Sequence, residues 1–316
     1  MVASLVALTP AGCGKPAPVL SVEDYSCDNI PRPENAKLVL HPVSDDYFQV
    51  YESAPGVYSI VEPYQIQETI SHLILGTQRA LLFDTGTGLL PIRPVVEQLT
   101  DLPVTVVNSH THYDHIGGNW EFESVLALDT DYTQANMAGR PYEEIAIDFV
   151  PEAFCKGVPD GVDLPSVRSK PWKAQGFIED GEIIDLGKRR LQVLHTPGHT
   201  PDALVLLDVD KRLLFTGDTW YDASLWLFAA ETNLEQYEAS IERLAEIERD
   251  VDFLFGAHNS ARVDAGRLAL VDRVLKQIRS GDLSPTGDDS GRLVFESGGV
   301  RVLTTQSALD GNEEES

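Results

Sequence analysis

A chain of 316 residues, 42% hydrophobic and 23% charged, has the composition of a folded protein with a sizeable core rather than a disordered one. Its formal charge of −26, from 50 acidic against 24 basic residues, argues against nucleic acid as a partner, because such a surface repels phosphates. No apolar run approaches the roughly 20 residues needed to cross a bilayer. A small-molecule substrate is therefore expected, and a transmembrane span is not.

The first residues read as the end of an export signal: the apolar stretch Leu5 to Leu8 precedes the small residues Ala11, Gly12 and Cys13. Ala11-Gly12-Cys13 resembles a lipoprotein cleavage site, with Cys13 as the lipid anchor. A basic leader is missing and Pro10 stands where Leu is usual, so either the signal starts upstream or this is a small-residue tail. The expectation is export to the periplasm or cell envelope, with a cytoplasmic location as the alternative. The three cysteines, Cys13, Cys27 and Cys155, have no C-x-x-C spacing, so neither a zinc knuckle nor a redox pair is indicated. A Cys27–Cys155 bond is compatible with the spacing but not dictated by it.

Residues 1–50 are read as this export-like segment followed by a tether and lead-in rich in Pro, Asp and Ser. The folded domain is expected over 51–305, and 306–316 as a disordered acidic tail. Val57–Val61, Ser71–Leu75 and Ala80–Phe83 read as successive strands, closed by Asp84-Thr85-Gly86. Apolar residues at 92, 95, 96 and 99 predict a short helix. The β-branched run Val104–Val107 is a further strand. The irregular, proline-rich stretch 139–176 is expected to be an insertion forming a lid or pocket loop. Its aromatics Tyr142, Phe149, Phe154 and Trp172 either line an apolar pocket or pack the loop onto the core. Beyond it, 182–186, 191–194, 203–207, 213–216 and 251–255 read as strands. Apolar residues from Leu234 to Ile247 and from Leu268 to Ile278 keep helical spacing. Leu293–Phe295 and Val300–Leu303 form a hairpin through Gly298-Gly299. Strands followed by helices, occurring twice, fit two sheets face to face with helices outside.

The chemistry is concentrated between Asn108 and Gly118, where His110, His112, Asp114 and His115 fall within six positions just after a strand. In extended chain, residues two apart point the same way. His110, His112 and Asp114 therefore share one side, while His115 reaches another point once the chain turns. One segment can thus serve two metal ions, and its nitrogen and oxygen donors suit zinc, with iron or manganese as alternatives. Three later loops, each just past an apolar run, offer His199, Asp218 and His258. Loops beyond strand ends are a common way to gather groups from distant sequence.

His110-x-His112-x-Asp114-His115, followed by His199, Asp218 and His258, resembles the metallo-β-lactamase-fold hydrolase superfamily in order and approximate spacing, over about residues 57–280. The resemblance implies an α/β fold: an αββα sandwich of two mixed β-sheets face to face with helices on the outer faces. It also implies two Zn2+ ions, one on His110, His112 and His199, the other on Asp114, His115 and His258, with Asp218 bridging both. Asp84 would orient a ligating histidine. Because true β-lactamases of this fold lack the aspartate found at 218, the resemblance is to the glyoxalase II and lactonase branch, with β-lactam cleavage at most a minor activity. The implied reaction has a dinuclear centre activating a bridging hydroxide against an ester, thioester or lactone carbonyl. Asp114 would orient it and shuttle a proton. Tyr221 resembles a lactonase tyrosine that contacts the substrate carbonyl, or else packs beside Trp220 and Trp226.

Other residues draw plainer readings. His195, directly after a strand, is expected behind the ligands, His72 in the core, and His41 at the surface. Arg273, Lys276 and Arg279 either recognise a glutathione thioester or form the solvated face of their helix. Trp220, Trp226 and Phe228 point to an apolar acyl group or ring. An alternative of another class is a persulfide dioxygenase-like oxidoreductase with one iron on His110, His112 and His199. An aspartic protease is excluded, because that chemistry needs two carboxylates sharing a proton and Phe83-Asp84-Thr85-Gly86 occurs once.

Overall fold

The structure, a computed structural model, describes residues 25–287 and 291–310. The export-like stretch with Cys13 and the end of the acidic tail lie outside them. The first sheet takes its strands in chain order. These are β1 (Gln49–Ala54), β2 (Val57–Val61), β3 (Ile70–Leu75), β4 (Ala80–Phe83), β5 (Val104–Val107), β6 (Val125–Leu128) and β7 (Gly176–Ile178). Pairing is antiparallel up to β4 and parallel from there on. A parallel neighbour needs a crossover, and helix α1 (Arg93–Leu99), opened by Pro94, supplies the one from β4 to β5.

Alternation along the strands decides what each face meets. Ala80, Leu82 and Val106 turn toward Val95 and Val96 of α1. Leu81, Phe83 and Val107 turn the other way, into the space between the sheets. With both faces covered, these strands read as unbroken apolar runs.

The second sheet has the order β14-β13-β11-β10-β9-β8. It comprises β8 (Ile183–Asp185), β9 (Arg190–His195), β10 (Leu204–Asp208), β11 (Leu213–Gly217), β13 (Phe253–Gly256) and β14 (Val263–Asp264). Its inner face brings Phe215 and Phe255 into a stack 4.7 Å apart, with Phe83 of the facing sheet edge-on to Phe215. Its outer face carries Leu214 and Leu254 against α5 (Leu234–Ile247) and α6 (Leu268–Ser280). The expected αββα sandwich is present. A buried ion pair ties its halves: Arg189 meets Asp208 at 2.7 Å and donates to Gly56 O and Leu75 O of the first sheet. Removing one partner of such a pair costs about 3–5 kcal/mol, because the other is left buried and uncompensated.

A third, smaller sheet goes beyond the expected two. In it β12 (Leu225–Leu227) pairs in parallel with β17 (Val300–Thr304), next to β16 (Leu293–Ser297) and β15 (Thr286–Gly287). The β16–β17 hairpin turns at Gly298-Gly299, and Phe295 and Val302 pack with Val271 and Leu275 of α6.

Two expected boundaries move, and the insertion takes one of its two readings. Residues 25–50 are built into the fold rather than tethering it. Tyr47 and Phe48 are buried, and Asn35 is locked by Ala261 N and Asn259 O. Cys27 is bonded to Cys155 of the insertion. Polar composition hid this segment because its anchors are isolated side chains without periodicity. The stretch 139–176 has its own small core of Ile145, Phe149, Ala153 and Phe154, while Trp172 joins Tyr47 and Val50. Its aromatics therefore pack inward, and its polar residues face the cavity. The expected tail starts with a short helix, Gln306–Leu309, whose Ala308 is buried.

Candidate metal centre

The seven expected ligands hang from the C-terminal ends of four strands. After β5 the chain bends at Ser109 and His110, and from an extended His112 it enters the single helical turn α2 (Tyr113–Ile116), which carries Asp114 and His115. Asp84, at the end of β4, aims this turn. It accepts Ser109 N at 2.6 Å, Ser109 Oγ at 2.8 Å and His115 Nδ1 at 3.0 Å. It does so at φ +66°, a backbone state that costs a non-glycine residue about 1–3 kcal/mol and persists where surroundings fix it. His199 follows β9, Asp218 follows β11, and His258 follows β13. Gly217, at φ +52°, lies so close that a Cβ there would stand 2.2 Å from Ser109 Cβ.

All seven side chains converge. His112 Nδ1 is 2.8 Å from His110 Nε2 and 3.2 Å from His199 Nε2. Asp114 Oδ2 is 3.5 Å from His115 Nε2 and 3.8 Å from His258 Nε2. Asp218 lies between the groups, with His258 Nε2 at 3.0 Å, His199 Nε2 at 3.5 Å and His115 Nε2 at 3.6 Å.

The other ring nitrogen of each histidine points outward to an oxygen. His110 Nδ1 meets Ser109 Oγ, His112 Nε2 meets Glu231, and His115 Nδ1 meets Asp84. His199 Nδ1 and His258 Nδ1 donate to the carbonyls of Trp226 and Gln67. Protons on the outward nitrogens leave inward lone pairs. Two such lone pairs 2.8 Å apart repel unless a cation lies between them. His115 Nε2 is buried without a hydrogen-bond partner. The residues therefore fit a pair of metal ions, and this is a dinuclear metal-binding cluster.

Electrostatics agree. Burial and neighbouring histidines hold His110 well below the usual imidazole range, and burial takes His199 to about 4. Both are thus neutral, as ligands must be. Burial opposes the charge on Asp218, but His258 and His115 more than offset it and hold its pKa low. Burial likewise opposes protonation of His115, yet Asp114, Asp218 and Asp84 raise it well above the ordinary value. Positive charge is wanted where the second ion would sit.

A cavity of about 320 Å³ opens over the cluster. Tyr221 lines it, accepting Trp226 N at 3.1 Å with its ring edge-on to His258. Trp226 and Phe228 line it too, whereas Trp220 is in the core. Expectation and structure part at His195. Its ring Nε2 donates to Pro201 O of its own loop and meets none of the ligands; the turn that carries His199 follows it, over 197–202. His72 is a core histidine bonded to Ser59 Oγ and Gly256 O. Lys276 pairs with Glu242 and Asp272, and Arg279 with Glu238, on the outer helices. That is the solvated-face reading.

The cations at the cavity are instead Arg32, Arg140, Arg292 and Arg301, from the lead-in, the insertion and the β16–β17 hairpin. Arg32 pairs with Glu68, and Arg292 lies over the Phe228 ring. Asp148 and Glu231 also face the cavity. Burial raises Asp148 to about 6. Burial would raise Glu231 as well, but hydrogen bonds from His112 and Tyr132 bring it to about 2. No motif or spacing marked any of these six.

The Metallo-beta-lactamase superfamily model matches residues 69–258. Acyl-coenzyme A thioesterase MBLAC2 of Homo sapiens is 29% identical over 192 residues, covering 55% of this chain and 66% of that protein. The chain thus spans just under two thirds of that relative's length. Hydroxyacylglutathione hydrolase of Haemophilus influenzae is 23% identical over 168 residues, covering 52% of this chain and 73% of that protein. Among solved structures, a metallo-beta-lactamase family protein from Thermus thermophilus superposes with a TM-score of 0.53 at 23% identity, over 72% of this chain and 82% of that one. That likeness is one of fold.

Proposed function

The chain belongs to the metallo-beta-lactamase superfamily, and from that premise we propose that it hydrolyses thioesters of an apolar acyl group and an anionic thiol carrier. The observation that carries this reading is the cavity wall: Arg292 and Arg301 beside Trp226 and Phe228, joined by Arg32 and Arg140 paired with Glu68 and Glu144, in a chain with a net charge of −26. Gathering cations against that background favours an anionic substrate. The names of the two relatives, an acyl-coenzyme A thioesterase and a hydroxyacylglutathione hydrolase, supply the bond type.

His110, His112 and His199 would hold one ion, Asp114, His115 and His258 the other, with Asp218 facing both. The imidazole-rich set favours zinc over magnesium or calcium. Such ions, when bound, supply Lewis acidity and water with a pKa lowered towards about 7. The protein's own groups do the rest. Tyr221, its lone pair occupied by Trp226 N–H, keeps its hydroxyl proton for the substrate carbonyl as that oxygen gains charge. Asp114 Oδ2 takes the proton of the attacking water and returns it to the thiolate as the C–S bond breaks. A one-iron oxidoreductase would leave Asp114, His115 and His258 without a role. The Cys27–Cys155 bond supports placing the protein in an oxidising compartment such as the periplasm or cell envelope.

The test is turnover by zinc-loaded protein of an acyl-coenzyme A, lactoylglutathione, p-nitrophenyl esters, acyl-homoserine lactones and nitrocefin. One of the two anionic thioesters should exceed every neutral substrate in kcat/KM by about tenfold or more, the equivalent of one good charged contact. Preference for a neutral ester, a lactone or nitrocefin would overturn the assignment.

A further inference from the structure

We infer that Glu231 is a positioning residue for His112, braced by Tyr132, and that it links the geometry of one metal site to the substrate wall. This rests on the reading above only in requiring that His110, His112 and His199 take an ion. Glu231 Oε1 accepts from His112 Nε2 at 2.7 Å and from Tyr132 Oη at 2.7 Å. A carboxylate of this kind only accepts, so the imidazole proton is held on Nε2. The free lone pair is then on Nδ1, the atom facing His110 Nε2 and His199 Nε2. His112 alone of the five presents Nδ1 to the centre, and Glu231 is what selects that tautomer. An outer partner that orients a ligating imidazole also raises its basicity.

The two halves of the cluster are held differently. His115 is fixed by the buried Asp84, and His258 by the carbonyl of Gln67 in the turn between β2 and β3. His199 and His112 are both fixed by one short segment, β12 and the loop after it, through Trp226 O and the Glu231 carboxylate. That same segment presents Trp226, Phe228 and Glu231 to the cavity. Substrate packing against it bears most directly on the site that holds His112 and His199.

Glu231→Ala and Glu231→Gln, with Tyr132→Phe, test this through metal affinity rather than turnover. Chelator competition on the zinc protein would give the two dissociation constants. The visible spectrum of the cobalt-substituted protein would report coordination geometry. Glu231→Ala should weaken one ion about 10–100-fold and leave the other unchanged. Glu231→Gln, whose amide oxygen still accepts from Nε2, should fall in between, and Tyr132→Phe should show the smallest loss. Unchanged affinities and spectrum in Glu231→Ala, or equal loss of both ions, would overturn the inference. Should Glu231→Ala fail to fold, the near-isosteric Gln variant decides on the same readouts. A wild-type protein that binds two ions but cleaves no thioester would sink the proposed activity and leave this inference standing.

Discussion

The loops beyond β5, β9, β11 and β13, and the segments that close the cavity from the opposite side, enclose the same volume under different constraints. In the first group each side chain must be an imidazole or a carboxylate, all are buried but the half-buried His112, and every imidazole is held by an outward partner. In the second group, Arg32, Arg140 and Asp148 are paired with Glu68, Glu144 and Tyr113, and Arg292 lies over Phe228, yet their residue types are not set by metal chemistry. Arg32, Arg292 and Arg301 also lie outside the matched span 69–258. The first wall decides which bond can be broken, and the second decides which molecule presents it. Variants on the two walls should therefore fail in different ways.

The largest effect belongs to the first wall. Asp218→Ala should abolish binding of one ion, measured by metal analysis, and lower kcat by about a thousandfold or more for neutral and anionic substrates alike, as loss of a metal's transition-state stabilisation does. A drop confined to anionic substrates would erase the distinction between the walls. Next comes Arg301→Ala, with Arg292→Ala beside it. Each should raise KM for the anionic thioester about tenfold, the value of a charge-assisted hydrogen bond, while p-nitrophenyl acetate kinetics stay unchanged. Equal losses on both substrates would mean that the hairpin supports the metal site instead. The smallest change in turnover is expected on removing the disulfide, which joins the lead-in to the insertion. Tyr25 Oη also accepts Cys155 N there, at 3.1 Å. Cys27→Ser with Cys155→Ser should raise KM about two- to threefold at constant kcat, and lower thermal stability by about 2–4 kcal/mol. A changed kcat would show that this wall reaches the chemistry.

The same division explains what could be read from the sequence. Ligand positions announce themselves because an imidazole or carboxylate after an apolar run and beside glycine is an uncommon local pattern. The role of Asp84 came only from the family resemblance. Core strands such as Ala80–Phe83 and Leu213–Gly217 were legible because both their faces are covered. β6 and β7 were not: each is three or four residues long and owes its state to its neighbours in the sheet. β12 owes its state to pairing with β17, which lies far along the chain. Glu231 meets His112 across 119 residues, and nothing local to either announces the contact. The His195 reading failed because proximity to a strand end does not say where the chain turns next.

Ser109 follows β5 of the first sheet and Gly217 ends β11 of the second, and they press together with no room for even a methyl group between them. Their contact acts as a steric pin that sets the two halves of the molecule in register. A slip of one residue along that seam would part His110 from Asp218 although no ligand had been altered. The reactive centre is thus assembled by the closing of the sandwich itself, and neither half carries it alone.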